Sequence, residues 1–181
     1  EKIEPLVSNF TTVNIYSQDE SRFGLFTRNG RAITAKGVKP ICPYQHKFEN
    51  TYLFGAFSAV NGNSFLLELP FCNTQTFQIF LNEFSKEEPT ELKVLILDNG
   101  AFHKSKALIV PDNIVLIFLP AYSPELNPAE KVWWLLKREF ACQTFKDMKD
   151  LKKHLFNAIK KLITVDRIKS LCEYEYLLRS I

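Results

Sequence analysis

Apolar residues recur along this chain with two periods, and the periods lay out its elements. Residues 12 to 18 (TVNIYSQ) are an apolar, β-branched run that predicts a first strand, with Asp19-Glu20 at its C-terminal end. In FGLFTRNGRAITAKG, Asn29-Gly30 stands between two half-apolar segments. Such a pair supplies the positive φ of a two-residue hairpin turn, so a hairpin excursion over 20–50 is expected. Runs 52–60 (YLFGAFSAV) and 64–69 (SFLLEL), parted by Asn61-Gly62-Asn63, predict antiparallel strands two and three. From Thr74 to Phe84 the period changes: Phe77, Phe80, Leu81 and Phe84 fall on one helical face.

The second half reads differently. Residues 93–97 (KVLIL) and 114–119 (IVLIFL) are continuous apolar runs of the kind buried on both faces of a parallel sheet. Asp98-Asn99-Gly100 stops the first, and a short helix is expected near His103. Three prolines, Pro120, Pro124 and Pro128, stiffen the next loop. Asn127-Pro128-Ala129-Glu130 then has the cap, first-turn proline and early acid of a helix start. Val132, Leu135, Leu136 and Phe140 form its buried stripe, flanked by Trp133 and Trp134 as core and near-core residues. Thr144 and Asp147 predict the cap of a further helix carrying Met148, Leu151, Leu155, Ile159 and Leu162, and Thr164 caps a last one ending near Leu171. The order predicts an α/β fold in one domain over 1–181, with an N-terminal linker (1–11) and C-terminal helices (144–181).

Composition narrows the class. With 46% hydrophobic residues in 181, the chain can close one core. Cys42, Cys72, Cys142 and Cys172 lie too far apart in sequence for a C-x-x-C site and read as half-buried, reduced thiols of a cytosolic protein. EKIEPLVSNF lacks a signal core, and no run approaches a membrane span. Net charge is +3 but uneven: residues 1–130 carry 11 Lys+Arg against 14 Asp+Glu, residues 131–181 carry 12 against 6. A basic C-terminal third suits a polyanion such as DNA, or is a solvated helix face.

The chemistry lies in the carboxylates. Asp19 and Asp98 each follow an apolar strand, at the sheet edge where ligands gather in open α/β folds. Glu130 opens a helix that leaves the same edge. Three carboxylates at one point repel unless a cation neutralises them, and hard oxygen donors suit magnesium or manganese. Two such ions about 4 Å apart activate a nucleophile and stabilise the leaving oxygen of a phosphodiester.

The blocks QDESRFGL, LDNGAFHK and LPAYSPELNPAEKVWWLLKREF resemble the three signature blocks of the DDE transposases of bacterial insertion sequences, the prokaryotic branch of the mariner superfamily. The likeness spans residues 12–140, and the third block is the most specific. It implies an RNase H-like fold: a five-stranded mixed sheet, three antiparallel strands plus two parallel, flanked by helices. It also implies a DNA substrate (transposon ends and target), two Mg²⁺ or Mn²⁺ ions, and cleavage followed by strand transfer in the bacterial cytoplasm or nucleoid. By the same likeness Asp19, Asp98 and Glu130 are the catalytic, metal-binding carboxylates, and Glu20 and Glu125 are not ligands. The excursion would clamp a second subunit, making a homodimer. Full-length members carry helix-turn-helix modules ahead of the catalytic domain, so end recognition is expected to be missing here or supplied elsewhere.

Each residue also has a plainer reading. Glu130 could serve only the helix cap, Asp98-Asn99-Gly100 only a turn, and Asp19 only a solvated strand end. His103 contacts a scissile phosphate, orients a carboxylate, or is structural; Asn99 positions DNA or closes the turn. Tyr122 packs on a base or anchors its loop. His46 and His154 read as surface residues. Lys104, Lys106, Lys131, Lys137 and Arg138 offer phosphate contacts or solvation. Two rival functions follow: a catalytically silent DNA-binding or dimerisation fragment, and a related RNase H-like nuclease acting on RNA in a hybrid.

Overall fold

In the computed structural model, which describes residues 9–30 and 33–174, the longest strand is central. This strand, β1 (Thr12–Gly24), pairs antiparallel with β2 (Asn50–Ser58), which pairs antiparallel with β3 (Ser64–Leu69). On its other edge β1 runs parallel to β4 (Glu91–Leu97), and β4 parallel to β5 (Ile114–Phe118). The order β3-β2-β1-β4-β5 is the mixed five-stranded sheet expected. Residues 1–8 and 175–181, parts of the predicted linker and C-terminal helices, lie outside the described residues.

Helices cover both faces. Helix α1 (Thr74–Lys86) starts at a capping box in which Asn73 and Thr76 satisfy each other's backbone, and it lays Phe77, Phe80, Leu81 and Phe84 on one face. Those rings meet Phe54, Phe65 and Leu95 from the sheet. On the opposite face lie α2 (Ala129–Arg138), α3 (Met148–Leu162) and α4 (Val165–Cys172), closing a second core around Phe57, Trp133, Leu136 and Ile168. Burying each such side chain contributes about 1.5–3 kcal/mol. Strand alternation divides the labour on β1: Ile15 and Phe23 face the α2 side, Tyr16 the α1 side.

Several expectations are corrected. β1 continues through Asp19 to Gly24; what ends near Asp19 is its parallel pairing with β4, whose last partners are Ser17 and Ile96. Among the described residues the excursion is irregular, Asn29 and Gly30 carry no turn, and the excursion's glycine with positive φ is Gly37. Its stem is closed by Leu25 N–H to the Glu49 carbonyl (3.0 Å) and Thr27 N–H to the Gln45 carbonyl (3.1 Å), while the Gln45 side chain bonds Phe145 in both directions. Residues 101–104 form turns, not a helix. β5 is a half-exposed edge strand, because no further strand covers Ile117 and Phe118. Asn127 does not act as the helix cap residue: Pro128 occupies that position, and the Asn127 side chain accepts from Ala129 N–H (3.1 Å) from one residue further out. Trp134 is exposed under Arg138 rather than near-core. Asp147 alone caps α3, through Asp150 N–H. His154 is half-buried, with its ring against Phe140 and Phe145. Cys172 is fully buried.

Candidate active site

The register of the parallel pair brings the first two acids together. Thr12 partners Glu91 and Ser17 partners Ile96; carried two residues further, the same register sets Asp19 against Asp98. Alternation turns Asp19 toward the α2 face, where Ile15 belongs to that core, and Asp98, one residue past the end of β4, opens onto the same cleft. Helix α2 reaches them because its Trp133 ring seats on Gly55, the β2 residue paired with Asp19. A Cβ at Gly55 would stand 2.7 Å from Trp133 and 2.6 Å from Phe57, so glycine is required for the helix to lie this low. Three turns of chemistry thus meet: Asp19, Asp98 and Glu130 line one cleft of about 430 Å³, with Asn99, Tyr122 and Asn127.

Electrostatics in the cleft follow from this crowding. Burial first, then the charges of Glu20, Glu130 and Asp98, push the Asp19 carboxyl up to about 8. Asp98 is 61% exposed, and its Oδ1 accepts from Gly100 N–H (2.8 Å) and lies 2.9 Å from His103 Nδ1. Glu130 stands exposed in the first turn of α2. Hard carboxylate oxygens facing a solvent-open cleft fit magnesium or manganese by donor chemistry. The arrangement is open: among the described residues, no three His, Cys, Asp or Glu side chains form a closed cation-binding group. Buried polar atoms of Ser17, Ser21 and Trp133, without hydrogen-bond partners among the described residues, add unused polar capacity near this face of β1.

Sequence reasoning set Glu20 aside, and its place is informative. Alternation points it to the face opposite Asp19, where His103 Nε2 meets Glu20 Oε1 at 3.1 Å and Gln18 Nε2 donates to the same oxygen at 2.7 Å. His103 is buried against Phe77 and Phe102 and bridges Glu20 to Asp98. Burial alone would lower its pKa, but the hydrogen bonds and charges of Glu20 and Asp98 outweigh burial and raise it. Asn127 was read only as a helix cap; its Nδ2 donates to the Gln18 carbonyl (2.9 Å), fastening the start of α2 to β1 beside Asp19. The alternation of Asp19 and Glu20 was the available signal for the first, and none was available for the second.

The remaining predicted residues divide. Asn99 Nδ2 donates to the Leu119 carbonyl, tying the two walls of the cleft. Tyr122 is fully exposed at positive φ (60°), so it anchors nothing in its loop. Lys137 lies beside the cleft, its pKa lowered by burial and by Arg28 despite Glu130 and Asp19. Lys104, Lys131 and Arg138 do not line the cleft; they lie over the rings of Phe118, Tyr174 and Trp134. Among the described residues, no helix is long and apolar enough to cross a membrane.

Comparison with known proteins gives the family and the fold. Residues 14–152 match the family model described as DDE superfamily endonuclease. An uncharacterized protein of Sinorhizobium fredii, y4pE/y4sA, is 40% identical over 114 residues, which is 62% of this chain and 84% of that protein. Among solved structures, the mariner Mos1 paired-end complex with Mg has a TM-score of 0.60 at 19% identity, covering 88% of this chain and 52% of that one. The Mos1 paired-end complex with the left transposon end has a TM-score of 0.57 at 17% identity, covering 96% and 60%. The chain thus spans a little over half the length of the Mos1 chains and shares their fold, the RNase H-like arrangement of two parallel and three antiparallel strands. On the match over most of its length, the chain belongs to the DDE superfamily endonucleases.

Proposed function

We propose that this chain is the single catalytic domain of a transposase, cutting DNA and transferring the cut strand through magnesium or manganese held by Asp19, Asp98 and Glu130. The observation that carries the reading is that Asp19, Asp98 and Glu130 line one cleft, just beyond the last parallel pair of Ser17 and Ile96. A pair of divalent ions bound there supplies nucleophile activation and charge neutralisation at the scissile phosphate. The protein's own groups do the rest. His103 fixes the rotamer of Asp98, and Glu20 holds His103 from behind. Asn99 and Asn127 hold the cleft walls, and exposed Tyr122 offers a ring face to a base. Water or a 3′-hydroxyl is the nucleophile, so no covalent enzyme intermediate forms. Lys137, which feels the charges of Glu130 and Asp19, is the phosphate contact beside the cleft, and Lys104, Lys131 and Arg138, which do not line it, contact phosphates further along the DNA.

Support comes also from the Mos1 relatives, whose solved complexes include one with Mg and one with Mn. We further infer a homodimer: the excursion exposes Ile33, Val38 and Ile41, apolar surface suited to a second subunit. The site of action is the bacterial cytoplasm.

The test is nicking of supercoiled DNA with Mn²⁺. The parent chain should nick and Asp98→Asn should not, while salt-sensitive DNA binding persists in both. Equal nicking by the two would remove Asp98 from the chemistry. One observation favours a silent DNA-binding fragment instead, namely the open spacing of the acids. Calorimetric titration with Mn²⁺ separates the readings, since a silent module shows no saturable heat.

A further inference from the structure

A second concavity, of about 630 Å³, shares no lining residue with the carboxylate cleft but is built on two of the same elements. It is walled by the last residues of β1, the stem of the excursion and the C-terminal end of α2. The same two elements therefore serve both places: β1 carries Asp19 and then Arg22, and α2 carries Glu130 and, two turns on, Lys137. Along that path the charge changes sign. Arg22, Arg28, Lys47 and Lys137 line the second groove, with Glu49 the one carboxylate among its lining residues. Among the described residues none of the four cations has a salt-bridge partner, and Lys47 Nζ meets only the Lys146 carbonyl, at 3.3 Å. Lys137 is half-buried beside Arg28, and burial and then Arg28 lower its pKa against the opposing charges of Glu130 and Asp19.

The rim is aromatic. Tyr44, His46 and Phe48 alternate along the returning limb of the excursion, which puts their rings on one side. All three pack on Phe26, at centroid distances of 5.7, 5.3 and 5.8 Å. Phe26, Tyr44 and Phe48 remain 45%, 62% and 72% exposed, so the ladder covers no core. Cations that lack anions beside open ring faces are the two elements of a single-stranded nucleic acid site: phosphates meet the cations, and unpaired bases stack on the rings. A duplex offers the phosphates but keeps its base faces covered. A second copy of the chain would bury the rings while leaving the cations uncompensated.

We propose that this groove binds an unpaired stretch of DNA leaving the carboxylate cleft, with bases stacked on Phe26, Tyr44 and Phe48 and phosphates on Arg22, Arg28, Lys47 and Lys137. The proposal rests on the DNA-processing reading for the identity of the strand, and its test avoids the catalytic step.

The experiment is fluorescence anisotropy of the full chain in EDTA with three labelled probes: oligo-dT, an abasic strand of the same length, and a hairpin duplex. Oligo-dT should bind about tenfold more tightly than the abasic strand. The double substitution Tyr44→Ala/Phe48→Ala should remove that advantage while leaving duplex affinity and thermal unfolding unchanged. Phe48→Trp, which keeps a ring, should retain binding and show fluorescence quenching on addition of oligo-dT. Three results would each overturn the proposal: equal affinity for oligo-dT and abasic strand, equal loss of single-strand and duplex binding in the double variant, or loss of self-association in that variant with oligo-dT affinity intact. Because no metal is present, a failure of nicking leaves this measurement standing, and a failure here leaves the carboxylate reading standing.

Discussion

Two acidic clusters sit at opposite ends of the same pair of strands, and they are built on opposite plans. At the start of β4, buried Glu91 accepts from the Tyr16 hydroxyl (2.9 Å) and Asn14 Nδ2 (3.1 Å), with Lys93 Nζ 4.0 Å away. Ser58 completes the network by donating to Asn14, and burial with the Glu91 charge holds the Tyr16 phenol above its ordinary range. At the far end, Asp19, Asp98 and Glu130 share one cleft with Glu20 behind; His103 meets Asp98 and Glu20, while Asp19 has no salt-bridge partner among the described residues. A buried acid compensated within the fold is structural. Acids gathered without compensation are held for something that arrives from solution.

That contrast can be broken in several ways. The largest effect expected is at the uncompensated end: Asp19→Asn should lower Mn²⁺-dependent nicking by about a thousandfold or more, the loss of several kcal/mol of transition-state stabilisation. The metal-free variant should be at least as stable as the parent in urea, because an amide is buried there without the cost of protonating or desolvating a carboxyl group. Nicking within a few fold of the parent would remove Asp19 from the site. Glu91→Ala should do the reverse. It leaves Lys93 buried without its acid and should cost about 3 kcal/mol in urea unfolding, with nicking per folded molecule unchanged. Gly55→Val should fall between them. Its side chain meets Phe57 and Trp133, which should cost about 1–3 kcal/mol and slow nicking by displacing the helix that carries Glu130; full activity in a destabilised variant would separate α2 seating from catalysis.

A pH dependence of stability is expected as well. Unfolded Asp19 loses its proton near 3.8, whereas folded Asp19 keeps it to about 8. Between those values the folded state binds the extra proton, so metal-free stability should fall as pH rises through the window and level off above it. Urea unfolding in EDTA at a series of pH values measures the slope. Asp19→Asn should flatten it, and so should saturating Mn²⁺ in the parent; a slope unchanged by the substitution would assign it to another group.

Much of the sheet was legible because its signals are local. β3 was bounded residue for residue by its turn at Asn61-Gly62-Asn63, where Gly62 has φ +78°, and α1 by the spacing of its phenylalanines. The errors fell where distant contacts decide. Ile117 and Phe118 read as buried because an apolar run does not announce that the sheet stops beside it. Asn29-Gly30 has good turn chemistry, yet the excursion is shaped by Gln45 bonding Phe145 a hundred residues away. The three carboxylates of the cleft were named from sequence, while the parallel register that aligns two of them became visible only in the paired strands. Glu20 was missed as a participant because its partner, His103, arrives from a different loop.

His103 links two compartments that the sheet would otherwise insulate. Its imidazole leans on Phe77 of α1, inside the phenylalanine cluster, while its nitrogens touch one acid on each face of the sheet. A substitution deep among those phenylalanines, remote from any DNA, would therefore be felt as a misaimed Asp98, and a search for attenuating mutations in this protein should begin there.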